Sequence, residues 1–115
     1  MVYHPRTLDR VFGALADPTR REIVRRLVAV PEMPLAELAA PFRMSLPAVS
    51  KHVAVLERAR LVRRTRRGRV RYCRVEPAQL AAAAGWLETY RPFWEHQLDR
   101  LEGYLTARPS PRRSR

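Results

Sequence analysis

A mainly α-helical fold carrying one β-hairpin is predicted by this sequence, on three observations. Apolar residues recur at steps of three and four through residues 8–15, 23–28, 49–56 and 87–105, the period of helices that bury one face. Cap and breaker residues divide these runs: Asp17-Pro18, Pro31, Pro34, and Ser45 ahead of Pro47. The phrase "RRTRRGRVRYCRV" reads instead as two short strands about a turn at Arg67-Gly68.

Each element has a local cause. The first helix is expected over residues 7–16, with Leu8, Val11, Phe12 and Leu15 on one face. Asp17 caps the second, and Pro18 suits its first position, where no backbone donor is needed. That helix should turn Ile23, Val24, Leu27 and Val28 inward, with Arg20, Arg21, Arg25 and Arg26 mostly outward, and end near Val30. A short third helix over residues 35–42 buries Leu35, Leu38, Ala39 and Phe42, and Pro41 should tighten or shorten its last turn. Ser45 caps a fourth helix by accepting from the amide of Ala48, with Val49, Val53 and Leu56 as its core stripe. Pro47, Ser50, Lys51, Ala54 and Arg58 lie on its other side. The chain turns helical again from about Pro77, with a kink or break near Arg91 because Pro92 removes an amide and clashes one turn back.

At 115 residues the chain is expected to be one domain, spanning residues 7–107, with a flexible stretch over 1–6 and a disordered basic tail over 108–115. A formal charge of +12 suits a polyanionic partner but does not choose among nucleic acid, anionic membrane and acidic protein. No apolar run approaches the roughly 20 residues of a membrane span, and the N-terminus lacks a secretory apolar region. The expected setting is the cytoplasm, without a membrane partner. Cys73 is the single cysteine, so an intramolecular disulfide is excluded. With three histidines, no Gly-rich phosphate loop and no nucleophile motif, nothing assembles into an enzyme site.

Charge placement narrows the partner to duplex DNA. Two short helices joined by a tight turn leave the start of the second protruding at a width that fits the major groove. Nine arginines lie between Glu57 and Glu76, with no acidic residue among them. Ser45, Leu46, Pro47, Ser50 and Lys51 are the candidates for the groove. His52 borders the core stripe and is either a structural imidazole or a phosphate donor. Arg64, Arg66, Arg67 and Arg69, nearest the turn, are the candidates for phosphate or minor-groove contact. Such a helix beside a cationic ribbon is a winged helix-turn-helix. On the last helix, Leu87, Tyr90, Trp94, Leu98, Leu101 and Leu105 form a stripe widened by Trp86, Phe93 and Tyr104, more apolar surface than a small domain's own core needs. That stripe is read as a self-association face.

The phrases "ALADPTRREIVRRL", "LAELA", "MSLPAVSKHVAVLERARLV", "GRVRYCRV" and "WLETYRPFWEHQLDRLEGYL" resemble the ArsR-type winged helix-turn-helix repressors, over residues 8–105 and in the family's order. The resemblance implies a symmetric homodimer held by the first and last helices, so Leu8, Val11 and Phe12 join the last-helix stripe as expected interface. It also implies one recognition helix per subunit on a palindromic operator, repression, and in many relatives release by a ligand, though the sequence names no inducer. Several positions depart from the pattern: Leu46 where Gln is common, Arg43 and Pro41 between the helices, and Pro92 within the last helix. The positions aligned with the family's cysteine pair hold Pro34 and Ala36, so neither that metal site nor any cofactor is expected. Glu95, His96 and Asp99 supply too few donors for a tetrahedral site within one subunit. Two alternatives remain at this point: a metal- or thiol-responsive sensor of the same fold, and a winged-helix protein-interaction module that binds DNA weakly.

Overall fold

The computed structural model describes residues 5–107, so the expectations for residues 1–4 and for the tail lie outside the described residues. The chain divides into two units, Met1–Ala83 and Ala84–Arg115. In the first, the order is α1 (Pro5–Leu15), α2 (Pro18–Ala29), β1 (Met33–Pro34), α3 (Leu35–Ala39), α4 (Leu46–Arg58), β2 (Val62–Arg67) and β3 (Val70–Val75), with α5 (Pro77–Glu88) crossing the division. The second unit holds α6 (Arg91–Ala107). α1 starts two residues earlier than its apolar period requires.

The core of the first unit is the set of residues that the helical period selects. α1 packs on α2 and α4, α2 on β3, α3 on α4 and β3, and α4 on β2. Val11, Ile23, Leu27, Leu38, Val49, Val53, Leu56 and Leu61 are fully buried at their centre. Each such aliphatic side chain contributes roughly 1.5–3 kcal/mol by leaving water. Val28 corrects the prediction: it is 63% exposed, because Ile23, Val24 and Leu27 already fill the inward arc of α2. Phe42 is only half-buried, since α3 stops at Ala39 ahead of Pro41.

The sheet has three strands in the order β1-β3-β2, all antiparallel. β1 was not anticipated, because two residues flanked by prolines carry no strand period; Met33 and Pro34 pair with Cys73 and Tyr72. The hairpin turn is Gly68-Arg69, one residue later than expected, with Arg67 opposite Val70. Gly68 takes φ +63°, and its place at the first loop position is where a two-residue hairpin accepts a left-handed residue.

α4 ends unusually. The Arg60 amide donates to the Glu57 carbonyl and the Leu61 amide to the Leu56 carbonyl, both at 2.9 Å. This double closure needs a left-handed residue after the cap, normally glycine, yet Arg60 fills it at φ 59°. Leu56 and Leu61, buried on either side of the closure, hold it in place.

In the second unit the expected break is present. α5 ends at Glu88, Thr89 and Tyr90 form a turn, and Pro92 sits in the first turn of α6, where a missing amide is harmless. Arg91 staples the junction, donating to Glu88 Oε1 and Oε2 at 2.6 and 2.8 Å and to Glu95 Oε2 at 3.1 Å. These bonds hold the Glu88 carboxyl below its ordinary range and raise the Arg91 guanidinium.

Candidate nucleic-acid interface

α4 presents its beginning. Ser45 is the N-cap, its hydroxyl accepting from the Ala48 amide at 3.2 Å, as the sequence predicts. Pro47 lies in the first turn, where its lack of a donor costs nothing. Leu46 is 46% exposed, and Ser45, Pro47 and Lys51 are exposed beside it. The opposite face, Val49, Val53 and Leu56, anchors the helix in the core.

α2 fixes that anchor by a device the charge pattern hid. Its arginines, expected to point mostly outward, donate to the carbonyls that end α1 and α3: Arg20 Nε to Ala14 at 2.6 Å, Arg21 Nη1 to Leu15 at 2.9 Å, and Arg26 Nη1 to Leu38 at 2.6 Å. Helix ends leave such carbonyls without intrahelical partners, and a cation is the favoured one. Arg20 Nη1 also lies 3.2 Å from His52 Nδ1. A guanidinium only donates, so this contact casts Nδ1 as its acceptor. The contact ties His52 of α4 to Arg20 of α2. Asp17, whose Oδ2 caps α2 by accepting from the Arg20 amide at 3.1 Å, stands 3.9 Å from the same Nδ1. That amide bond, chiefly, lowers the Asp17 carboxyl below its ordinary value.

Register sorts the wing arginines. Val62, Arg64 and Arg66 share one face with Val75, Cys73 and Arg71; Arg63, Thr65 and Arg67 share the other with Arg74, Tyr72 and Val70. Three of the nine are matched by carboxylates. Arg63 pairs with Glu76 at 2.6 Å, and Arg64 with Glu57 at 2.7 Å. Arg67 pairs with Glu32 at 2.6 Å while its guanidinium carbon stacks 3.8 Å over the Tyr72 ring. Arg66, Arg69 and Arg71 have no carboxylate partner among the described residues, and Arg66 stands directly opposite Arg71. Two like charges placed this way destabilise a bare hairpin and suit a polyanion.

The recognition end of α4 and the wing meet in one cleft. Leu46, Arg66, Arg69, Val70 and Arg71 line a cavity of about 350 Å³ floored by Pro34, Leu35 and Ala36. Of the wing candidates, Arg66 and Arg69 belong to this cleft, whereas Arg64 and Arg67 are drawn to Glu57 and Glu32. Arg71 is the residue that sequence reasoning missed. A one-residue error in the turn shifts pairing by two along the partner strand, which hid the Arg66–Arg71 pair.

Cys73, opposite Arg64 and Met33, is fully buried, and burial pushes its thiol up to about 11. It behaves as a small core residue, poorly placed to supply the thiolate of a redox sensor. Among the described residues no group of three or more His, Cys, Asp or Glu side chains is placed to hold a metal ion.

Comparison with known proteins decides the family. Residues 15–65 match the family described as "Helix-turn-helix domain". The chain is 43% identical over 93 residues to the HTH-type transcriptional regulator Rv2034 of Mycobacterium tuberculosis, spanning 81% of this chain and 83% of that protein. A crystal structure of an ArsR family transcriptional regulator superposes with a TM-score of 0.74 at 40% identity, over 83% of this chain and 97% of that one. This chain belongs to the ArsR family of transcriptional regulators. The transcriptional repressor SdpR of Bacillus subtilis is a further relative, 30% identical over 80 residues, 70% of this chain and 88% of that one. The ArsR-family fold, helical with a winged sheet, agrees with the architecture above, and the family comprises DNA-binding regulators rather than enzymes. No helix among the described residues is long and apolar enough to cross a membrane.

Two of the expected interface residues expose little surface in the single subunit. Leu8 and Val11 of α1 are buried inside the subunit, at 9% and 0% exposure, because α1 packs on α2 and α4. Phe12 is half-buried.

Proposed function

We propose that this ArsR-family protein is a homodimeric, sequence-specific repressor of its own or neighbouring genes, acting in the cytoplasm on a palindromic duplex operator. The observation that carries the reading is the shared cleft. The exposed start of α4 and three wing arginines without carboxylate partners form one continuous surface, so a single duplex engages base edges and phosphates together. Ser45, Leu46, Pro47, Ser50 and Lys51 face the groove, with Leu46 offering an apolar contact to a thymine methyl. Arg66, Arg69 and Arg71 hold phosphates or enter the adjacent minor groove. Self-association is supported by the stripe Leu87, Tyr90, Phe93, Leu98, Leu101 and Leu105, exposed by 41–65%. Trp94, half-buried, lies on the same stripe. Repression is supported by the relative named a transcriptional repressor.

Selection of bound duplexes from a random library, with sedimentation of the free protein, tests the reading. The expected product is a palindrome whose half-sites lie about 34 Å apart, bound by a dimer. Neutralising on the order of six phosphates gives a slope of log K against log[salt] near −5. A monomer that binds scrambled duplex as tightly as any selected one overturns it.

A further inference from the structure

One wing side chain reaches across to the recognition helix. Arg64, on β2, donates through Nη1 to Ser50 Oγ at 2.8 Å, and through Nε and Nη2 to Glu57 Oε1 at 2.9 and 2.7 Å. Ser50 and Glu57 are seven residues apart on α4, two turns and about 10 Å along one face. A single group spans them because helical side chains lean toward the N-terminus, bringing Glu57 back toward Ser50. The guanidinium fork meets both acceptors at once, which a lysine ammonium on its flexible stem does far less well. Arg64 is also the most enclosed of the ion-paired wing arginines, its side chain 20% exposed against 56% for Arg63 and 60% for Arg67.

This contact has a polarity. Arginine cannot accept, so the Ser50 oxygen does, and the serine proton is directed elsewhere. No acceptor among the described residues takes that proton. Ser50 sits one turn past the Ser45 cap, half-buried at the flank of the core stripe.

We propose that Arg64 is a positioning residue rather than a phosphate ligand. It braces the wing against the recognition helix and sets the Ser50 hydroxyl as a donor toward a base-edge acceptor in the major groove: a purine N7, guanine O6 or thymine O4. The inference rests on the DNA-binding reading above and names part of its specificity. The Glu57 carboxylate already neutralises Arg64, so Arg64 releases few counterions on binding. Arg66, Arg69 and Arg71 supply the salt dependence.

The test measures dissociation constants of the full chain for a library-selected operator and for a scrambled duplex across a salt series. Arg64→Gln should lower the operator-to-scrambled ratio about tenfold or more while leaving the salt slope unchanged. Glu57→Gln should do the same, and the double variant should be no worse than either single one, because all three break one brace. Ser50→Ala, which removes the bond from Arg64 Nη1 but keeps the two Arg64–Glu57 bonds of the brace, should lose preference at a single base pair with the slope unchanged. Arg66→Gln should instead reduce the slope by about one per subunit and weaken all duplexes alike. The proposal is overturned if Arg64→Gln behaves as Arg66→Gln does, or if Glu57→Gln tightens binding by unmasking a cation. Urea unfolding of each variant separates lost bracing from lost folding, and Ser50→Ala decides the case should Arg64→Gln fail to fold. A wild-type chain that shows no operator preference sinks the DNA reading itself, and this inference with it.

Discussion

Two stretches of this chain carry the same apolar spacing and use it in opposite ways. In α4, Val49, Val53 and Leu56 are fully buried within one subunit. In α6, Leu98, Leu101 and Leu105 repeat the interval at 60%, 54% and 59% exposure, and Phe93 reaches 65%. Among the described residues 91–106 of α6 none falls in the buried class, whereas every helix of the winged unit from α2 to α4 has at least three there. A stripe at helical period specifies that apolar surface is to be covered. It does not specify whether the cover comes from the same chain or from another. A fold that meets its core requirement within residues 5–83 is free to leave the later stripe for association.

Substitutions can break that contrast from either side. Leu56→Ala removes a fully enclosed side chain that also flanks the closure of α4, and should lower unfolding free energy by about 2–5 kcal/mol in a urea titration. It should leave the proposed dimer intact at concentrations where the chain stays folded; a loss below 1 kcal/mol places Leu56 outside the core described. Leu98→Glu combined with Leu101→Glu should do the reverse. Sedimentation should show a monomer with the winged unit still folded, and operator affinity should fall about 100-fold because the two half-sites no longer act together. A double variant that stays dimeric removes α6 from the interface.

The smallest change sharpens the comparison within the winged unit. Arg60→Gly relieves a left-handed backbone position that glycine adopts without a Cβ clash, and should raise unfolding free energy by about 1 kcal/mol. A destabilised Arg60→Gly variant shows that the arginine side chain itself holds the α4 terminus.

Much of this was legible in the residues. Asp17-Pro18 and Ser45 with Pro47 start helices where the structure starts them, because capping and proline chemistry act within three or four residues. Pro92 ends α5 for an equally local reason. The hidden parts depend on groups distant in sequence. β1 exists because β3 offers Met33 and Pro34 an edge to pair with. Arg20, Arg21 and Arg26 look like a solvated cationic face until the ends of α1 and α3 are seen beside them. The nine arginines between Glu57 and Glu76 look equivalent until Glu32, Glu57 and Glu76 are brought near three of them. Arg71 is found only when the turn register is right.

The sequence by itself determined the helical and strand periods, the caps and breaks, the surplus of positive charge and the surplus of apolar surface after residue 87, because each is a local property of side chains along the chain. Only the tertiary structure decided which arginines remain open to an anion, which serine oxygen is already bonded, and that Leu8 and Val11 belong to the subunit's interior. Those outcomes depend on distances between groups tens of residues apart, and it is the packed core that sets such distances.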